Sequence, residues 1–119
     1  MNADGTSLEQ TVLDNLATFL SQDKLRELLR LYLNDSQQIL TQLNSVLTEN
    51  NVVETTRLMH SLKSTSANIG AIKISELAKS LEALARREKL EEIRGQLTEL
   101  IGLFDQTRSD IEQLDFMQN

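Results

Sequence analysis

The chain has no cysteine, no proline and no tryptophan, and only one histidine; aromatic residues make up just 3% of its 119 residues. Without cysteine there is no disulfide framework, no thiolate zinc site and no cysteine nucleophile. One histidine with no cysteine beside it excludes a His-rich metal centre within a single chain. The lack of proline leaves long helices unbroken and argues against linkers and the turns of β-sandwiches. Bases are in the minority: 12 Lys and Arg against 18 Asp and Glu give a net charge of −6, the wrong sign for a nucleic-acid binder. No apolar run approaches the ~20 residues needed to cross a bilayer. The opening Met1-Asn2-Ala3-Asp4-Gly5 lacks the basic-then-apolar character of a signal peptide. These absences lead to the expectation of a soluble, cytoplasmic chain that makes no membrane contact. Its length suits one domain, large enough to bury a core without covalent staples.

What is present is helical periodicity. Ser7, with Gln10 three residues on, is a capping-box pattern predicting a short helix that carries Val12, Leu13, Leu16, Phe19 and Leu20. Ser21, followed by Asp23, predicts the N-cap of a second helix. Its stripe is Leu25, Leu28, Leu29, Tyr32, Ser36, Ile39, Leu43 and Val46. Asn50-Asn51 ends that stripe, and Asn51 with Glu54 caps a third helix running to Gly70. A fourth begins at Ala71 or Ile72 and shows Ile74, Leu77, Ala78, Leu81, Leu84 and Ala85 on one side, with a turn over 86–89. Leu90, Ile93, Leu97, Leu100, Phe104, Thr107, Ile111 and Leu114 then repeat almost as heptads, predicting one last helix. Gly95 and Gly102 weaken it by about 1 kcal/mol each relative to Ala. The implied fold is all-α: an antiparallel up-down-up-down four-helix bundle with a short additional N-terminal helix. The domain spans 7–116, after a flexible N-terminus at 1–6 and before a frayed tail at 117–119.

A bundle does not name a function; a site must. On a helical wheel of the third helix, Leu58, Leu62, Thr65 and Ile69 lie opposite His60. The lone histidine therefore points away from the core, with Lys63 and Ser64 beside it at i+3 and i+4. Val53, Thr56, Arg57 and Ala67 share its face. A single histidine is more often an incidental surface group or a satisfied core residue than a functional one. Two features favour function here. The neighbours Ser61, Ser64, Thr65, Ser66 and Ala67 are small, so a protein surface can reach the ring. From Thr55 to Ser75 there is no acid, while Arg57, Lys63 and Lys73 supply three positive charges in an acidic chain. A neutral imidazole is a nucleophile near pH 7 and forms covalent intermediates. A phosphoryl group accepted there brings nearly two negative charges, which Lys63 is placed to balance, with Ser64 as a possible hydrogen-bond donor.

The run His60-Ser61-Leu62-Lys63-Ser64-Thr65-Ser66-Ala67-Asn68-Ile69-Gly70-Ala71 resembles the signature of histidine-containing phosphotransfer (HPt) domains of bacterial two-component phosphorelays, roughly His-x-Leu-Lys-Gly-Ser-Ser-Ala-x-Leu-Gly-Ala. The similarity continues through Leu77, Ala78, Leu81 and Glu82, and length and helix count agree with it. The resemblance implies that His60 is phosphorylated and that Lys63 compensates the charge. It implies that a receiver domain's aspartyl phosphate donates to His60 and that another receiver's aspartate accepts. No cofactor is implied for this chain, and Mg²⁺ belongs to the receiver. Such domains are carriers without ATP binding or autokinase activity, in line with the absence of a Gly-rich phosphate loop. Ser64 departs from the family's glycine; as a small residue it preserves the receiver's approach. Glu82 aligns beside the site at a position where some members place Gln, and its role stays open.

The partner surface expected from the face comprises Val53, Thr56, Arg57, Ser64, Ala67 and Lys73. Val53 and Ala67 are its apolar centre, and Arg57 and Lys73 are steering charges. The partners expected are receiver domains of a hybrid sensor kinase or a response regulator, met by a monomer. Two other classes compete with this reading. A histidine kinase's dimerisation helix pair typically carries an acid directly after its histidine and a proline soon after, whereas Ser61 follows here. A non-catalytic helical adaptor would account for the stripes but leaves the acid-free stretch unexplained.

Overall fold

Short polar side chains open two of the principal helices, as the sequence leads one to expect. In a computed structural model, which describes residues 7–118, α1 spans Gln10–Phe19 and α2 spans Gln22–Thr48. Ser21 caps α2 by accepting from the Lys24 amide at 3.2 Å. Asn51 caps α3 (Val52–Ile69) by accepting from the Glu54 amide at 3.0 Å. The reciprocal half of that box is not made, because the Glu54 carboxylate turns to Arg57. Then follow α4 (Ile72–Arg86), α5 (Leu90–Arg94), α6 (Leu97–Glu112) and a 3₁₀ turn at Asp115–Met117. No strand occurs among the described residues.

Cross-bundle contacts show the antiparallel course. Along α2, Arg26 meets the Phe116 carbonyl, Gln37 meets Arg108, and the Leu47 carbonyl meets Arg94. The order on the partner side runs backwards, as an antiparallel neighbour must. Arg94 also donates to the Asn50 side chain at 2.6 Å, so one guanidinium closes the C-terminal end of α2. At 27 residues α2 is about 40 Å long, which matches the 41 Å extent of the molecule. The turn between α3 and α4 rests on Gly70, at φ +84°. A Cβ there would lie 3.0 Å from the Glu9 carbonyl oxygen and 3.1 Å from Val12 Cβ, so both the backbone conformation and the close approach of α1 disfavour a side chain.

Several expectations are corrected. Ser7 does not cap α1; its amide and hydroxyl both donate to Asp110, at 2.8 and 3.0 Å, and Glu9 stands at the cap position. The final heptad run is two helices. At Gly95 the backbone tightens, with the Gln96 amide on the Ile93 carbonyl, and a regular ladder resumes from the Leu100 amide to Gln96. Leu90 and Ile93 are buried before the break and Leu100 and Phe104 after it, so the core face survives the interruption. Gly102 stays within α6. The α2 stripe ends on buried Leu47, with Val46 only half-buried. The expected tail is not frayed at its start: Met117 is buried against α1 and α2 residues. The expected flexible segment 1–6 and Asn119 lie outside the described residues.

Candidate functional site

The buried side of α3 is held by Leu58, Met59, Leu62 and Ile69. The rotation of α3 is fixed by two tethers: Tyr32 on α2 shares a buried 2.7 Å hydrogen bond with Ser66, and Ser75 on α4 donates to the Lys63 carbonyl at 3.0 Å. With the helix clamped this way, His60 projects outward and its side chain is 57% exposed.

The ring does not stand alone. Glu82, delivered from α4 and only 7% exposed, places Oε2 2.9 Å from His60 Nδ1. Lys63 Nζ reaches Glu82 Oε1 at 2.8 Å, and Arg86 Nη2 reaches Oε2 at 2.8 Å. Burial alone would push the Glu82 carboxyl up. Hydrogen bonds from Lys63, Arg86 and His60 outweigh that and hold it at about 2, so it is ionised at neutral pH. An ionised carboxylate accepts and cannot donate, so the proton in the short contact sits on Nδ1. In the neutral ring Nε2 then carries the free lone pair, directed away from Glu82. The arrangement is a nucleophilic nitrogen on a rigid helix, with its tautomer set by a buried acid.

The structure separates the other candidate residues. Ser64, Val53 and Ala67 are exposed along α3 with His60. Ser64 makes no hydrogen bond through its hydroxyl among the described residues. Thr56 is half-buried, and its hydroxyl is committed to the Val52 carbonyl at 2.8 Å. Arg57 is exposed and grips both oxygens of Glu54. It lines a groove between α2 and α3 with Asp35, Gln38, Ser61 and Thr65. Lys73 opens instead on a groove between α4 and α6, beside Glu76, Glu99 and Leu103. The acid-free stretch is therefore not a bare basic patch. Glu54, just before it in sequence, and Glu82, seven residues beyond it, answer Arg57 and Lys63 in space.

Sequence reasoning left out one contributor to the site and one exposed apolar residue outside it. Arg86 read as a turn marker, yet it sits on the acid that holds the histidine. Leu31, exposed on α2, lines an apolar groove with Thr65 and Asn68 of α3. Periodicity shows Leu31 lying off the stripe, and that is the one signal that could have marked it. Among the described residues no group of three or more His, Cys, Asp or Glu is placed to hold a metal ion, and no helix is long and apolar enough to cross a membrane.

The family model described as the Hpt domain matches residues 27–115. The crystal structure of histidine-containing phosphotransfer protein B (HptB) from Pseudomonas aeruginosa PAO1 is similar to this chain with a TM-score of 0.89 and 25% sequence identity, covering 99% of each chain. No curated protein matches the sequence.

Proposed function

We propose, from the premise that the chain belongs to the Hpt-domain family, that its part in a phosphorelay is carried by His60. Members of that family are phosphotransfer carriers, not kinases. The observation that supports His60 is its pairing with Glu82: an exposed imidazole whose Nδ1 is occupied by a buried carboxylate at 2.9 Å.

In this reading a receiver domain docks over α3 with its aspartyl phosphate facing the ring. The Nε2 lone pair forms a bond to phosphorus as the bond from phosphorus to the aspartate oxygen breaks, and the aspartate leaves as a carboxylate. The ring keeps its Nδ1 proton, shared with Glu82, so the phosphorylated imidazole is positively charged and remains a good leaving group. That suits a carrier, whose product must be given up again to a second receiver's aspartate. Positioning and charge balance carry most of such a transfer. Lys63, one turn from His60, meets the phosphoryl oxygens, and exposed Ser64 is close enough along the helix to donate to one of them. Val53, Ala67 and Leu31 give the receiver apolar surface, and Thr56, Arg57 and Lys73 form its polar surroundings. Mg²⁺ enters with the receiver, and the chain acts as a monomer in the cytoplasm.

The test is incubation with a receiver domain carrying radiolabelled aspartyl phosphate. Label is expected to move to this protein in an acid-labile, alkali-stable form, and to be absent from a folded His60→Gln variant. A helical adaptor would take no label. Equal labelling of wild type and His60→Gln would overturn the assignment.

A further inference from the structure

A carboxylate next to a histidine that receives a dianionic group carries a cost. Glu82 fixes the ring, but it also cancels the charge of Lys63 and repels the incoming phosphoryl group. Because it is only 7% exposed, solvent screens it weakly. Arg86 stands where that cost is felt. It lies one turn beyond Glu82 on α4, and its Nη2 contacts the same oxygen that holds His60 Nδ1. The two nitrogens are thus no farther apart than two hydrogen bonds laid end to end. The guanidinium is 63% exposed and lies in the last turn of α4, where the helix dipole favours a cation. With a neutral imidazole, Lys63 and Glu82 cancel, and Arg86 leaves the group with net positive charge.

Resting on the reading that His60 is the phosphorylated residue, we propose that Arg86 is a positioning residue for phosphoryl transfer acting through Glu82: it neutralises the carboxylate oxygen that holds the imidazole, so an acid can fix the ring without repelling the phosphoryl group. The requirement for Arg86 therefore exists only while position 82 is an acid. An amide there still accepts the Nδ1 proton through its carbonyl but brings no negative charge to offset.

The experiment measures the rate of phosphoryl acceptance from one phosphorylated receiver. The proteins compared are wild type, Arg86→Ala, Arg86→Lys, Glu82→Gln and the Glu82→Gln/Arg86→Ala double variant, each first shown to be helical by circular dichroism. Arg86→Ala is expected to be about tenfold slower, and Arg86→Lys to stay within about twofold of wild type, because the charge matters more than the guanidinium shape. In the Glu82→Gln background the removal of Arg86 is expected to cost no more than about twofold. Three results would overturn the proposal: Arg86→Ala at the wild-type rate, Arg86→Lys as slow as Arg86→Ala, or the full Arg86→Ala loss persisting in the Glu82→Gln background. Wild type that takes no phosphoryl group on His60 would instead sink the underlying functional reading, so the two failures are distinguishable.

Discussion

At the scale of single residues, the site is organised by Glu82, whose two oxygens serve Lys63, His60 and Arg86. This makes the consequences of substitution asymmetric. His60 is largely exposed, so His60→Gln is expected to hold stability within about 1 kcal/mol of wild type, measured by urea unfolding. A collapse of the fold would mean that the ring is structural. Lys63→Ala leaves Glu82 its bonds to His60 and Arg86, and the variant is expected to unfold cooperatively with unchanged helix content. In the proposed transfer, however, it removes the cation assigned to the phosphoryl oxygens, and is expected to slow transfer by about tenfold or more, read in the same radiolabel assay. A Lys63→Ala rate equal to wild type would show that Glu82 holds the ammonium too firmly for it to serve the phosphoryl group.

At the scale of elements, the helices were legible where their signals are local. Ser21 and Asn51 cap as their positions suggest, and Gly70 ends α3 in a left-handed conformation. What was not legible depended on distant partners. Ser7 looks like a cap until Asp110, 103 residues away, is folded against it. The heptads run through Gly95 without a missed beat, so periodicity alone could not show that the backbone tightens there. His60 and Lys63 were found from their own helix. The acid that organises them comes from α4; the resemblance set Glu82 beside the site, but charge counted along the sequence gave no measure of its pairing. The turn that brings α4 back over α3 is also where a single methyl group should be felt. Gly70→Ala puts a side chain at φ +84° and against the Glu9 carbonyl. It is expected to lower the unfolding free energy by about 2 kcal/mol, seen as a reduced urea midpoint at unchanged slope. A neutral effect would mean that the segment ahead of α1 yields without cost.

At the scale of the whole molecule, the core is two apolar clusters rather than one. The first gathers Leu43, Leu62, Leu81 and Phe104, and the second Leu13, Leu29, Ile69 and Ile111. Along α2, α3 and α6 a hydroxyl falls between them: Ser36 between Tyr32 and Ile39, Ser66 between Leu62 and Ile69, Thr107 between Phe104 and Ile111. Ser66 is satisfied by Tyr32, but the Thr107 hydroxyl is buried with no partner among the described residues. Replacing it by a methyl of the same shape removes a desolvation cost, so Thr107→Val is expected to be neutral or up to about 1 kcal/mol stabilising by urea unfolding. Clear destabilisation would mean the hydroxyl is satisfied after all. The second molecule-wide consequence comes from Glu82. Its carboxyl, held at about 2 in the fold against 4.5 ordinarily, binds a proton more weakly folded than unfolded. Its contribution to stability is therefore complete above about pH 4.5 and is lost as the pH falls toward 2. Glu54, lowered by Arg57, acts in the same direction but is common to wild type and a Glu82→Gln variant. Glu82→Gln is expected to have the lower urea midpoint at pH 7, and the gap should narrow steadily below pH 4.5 as wild type loses what the variant never had. Two midpoint curves running parallel from about pH 7 to pH 2 would show that the carboxylate shapes the site without holding the fold.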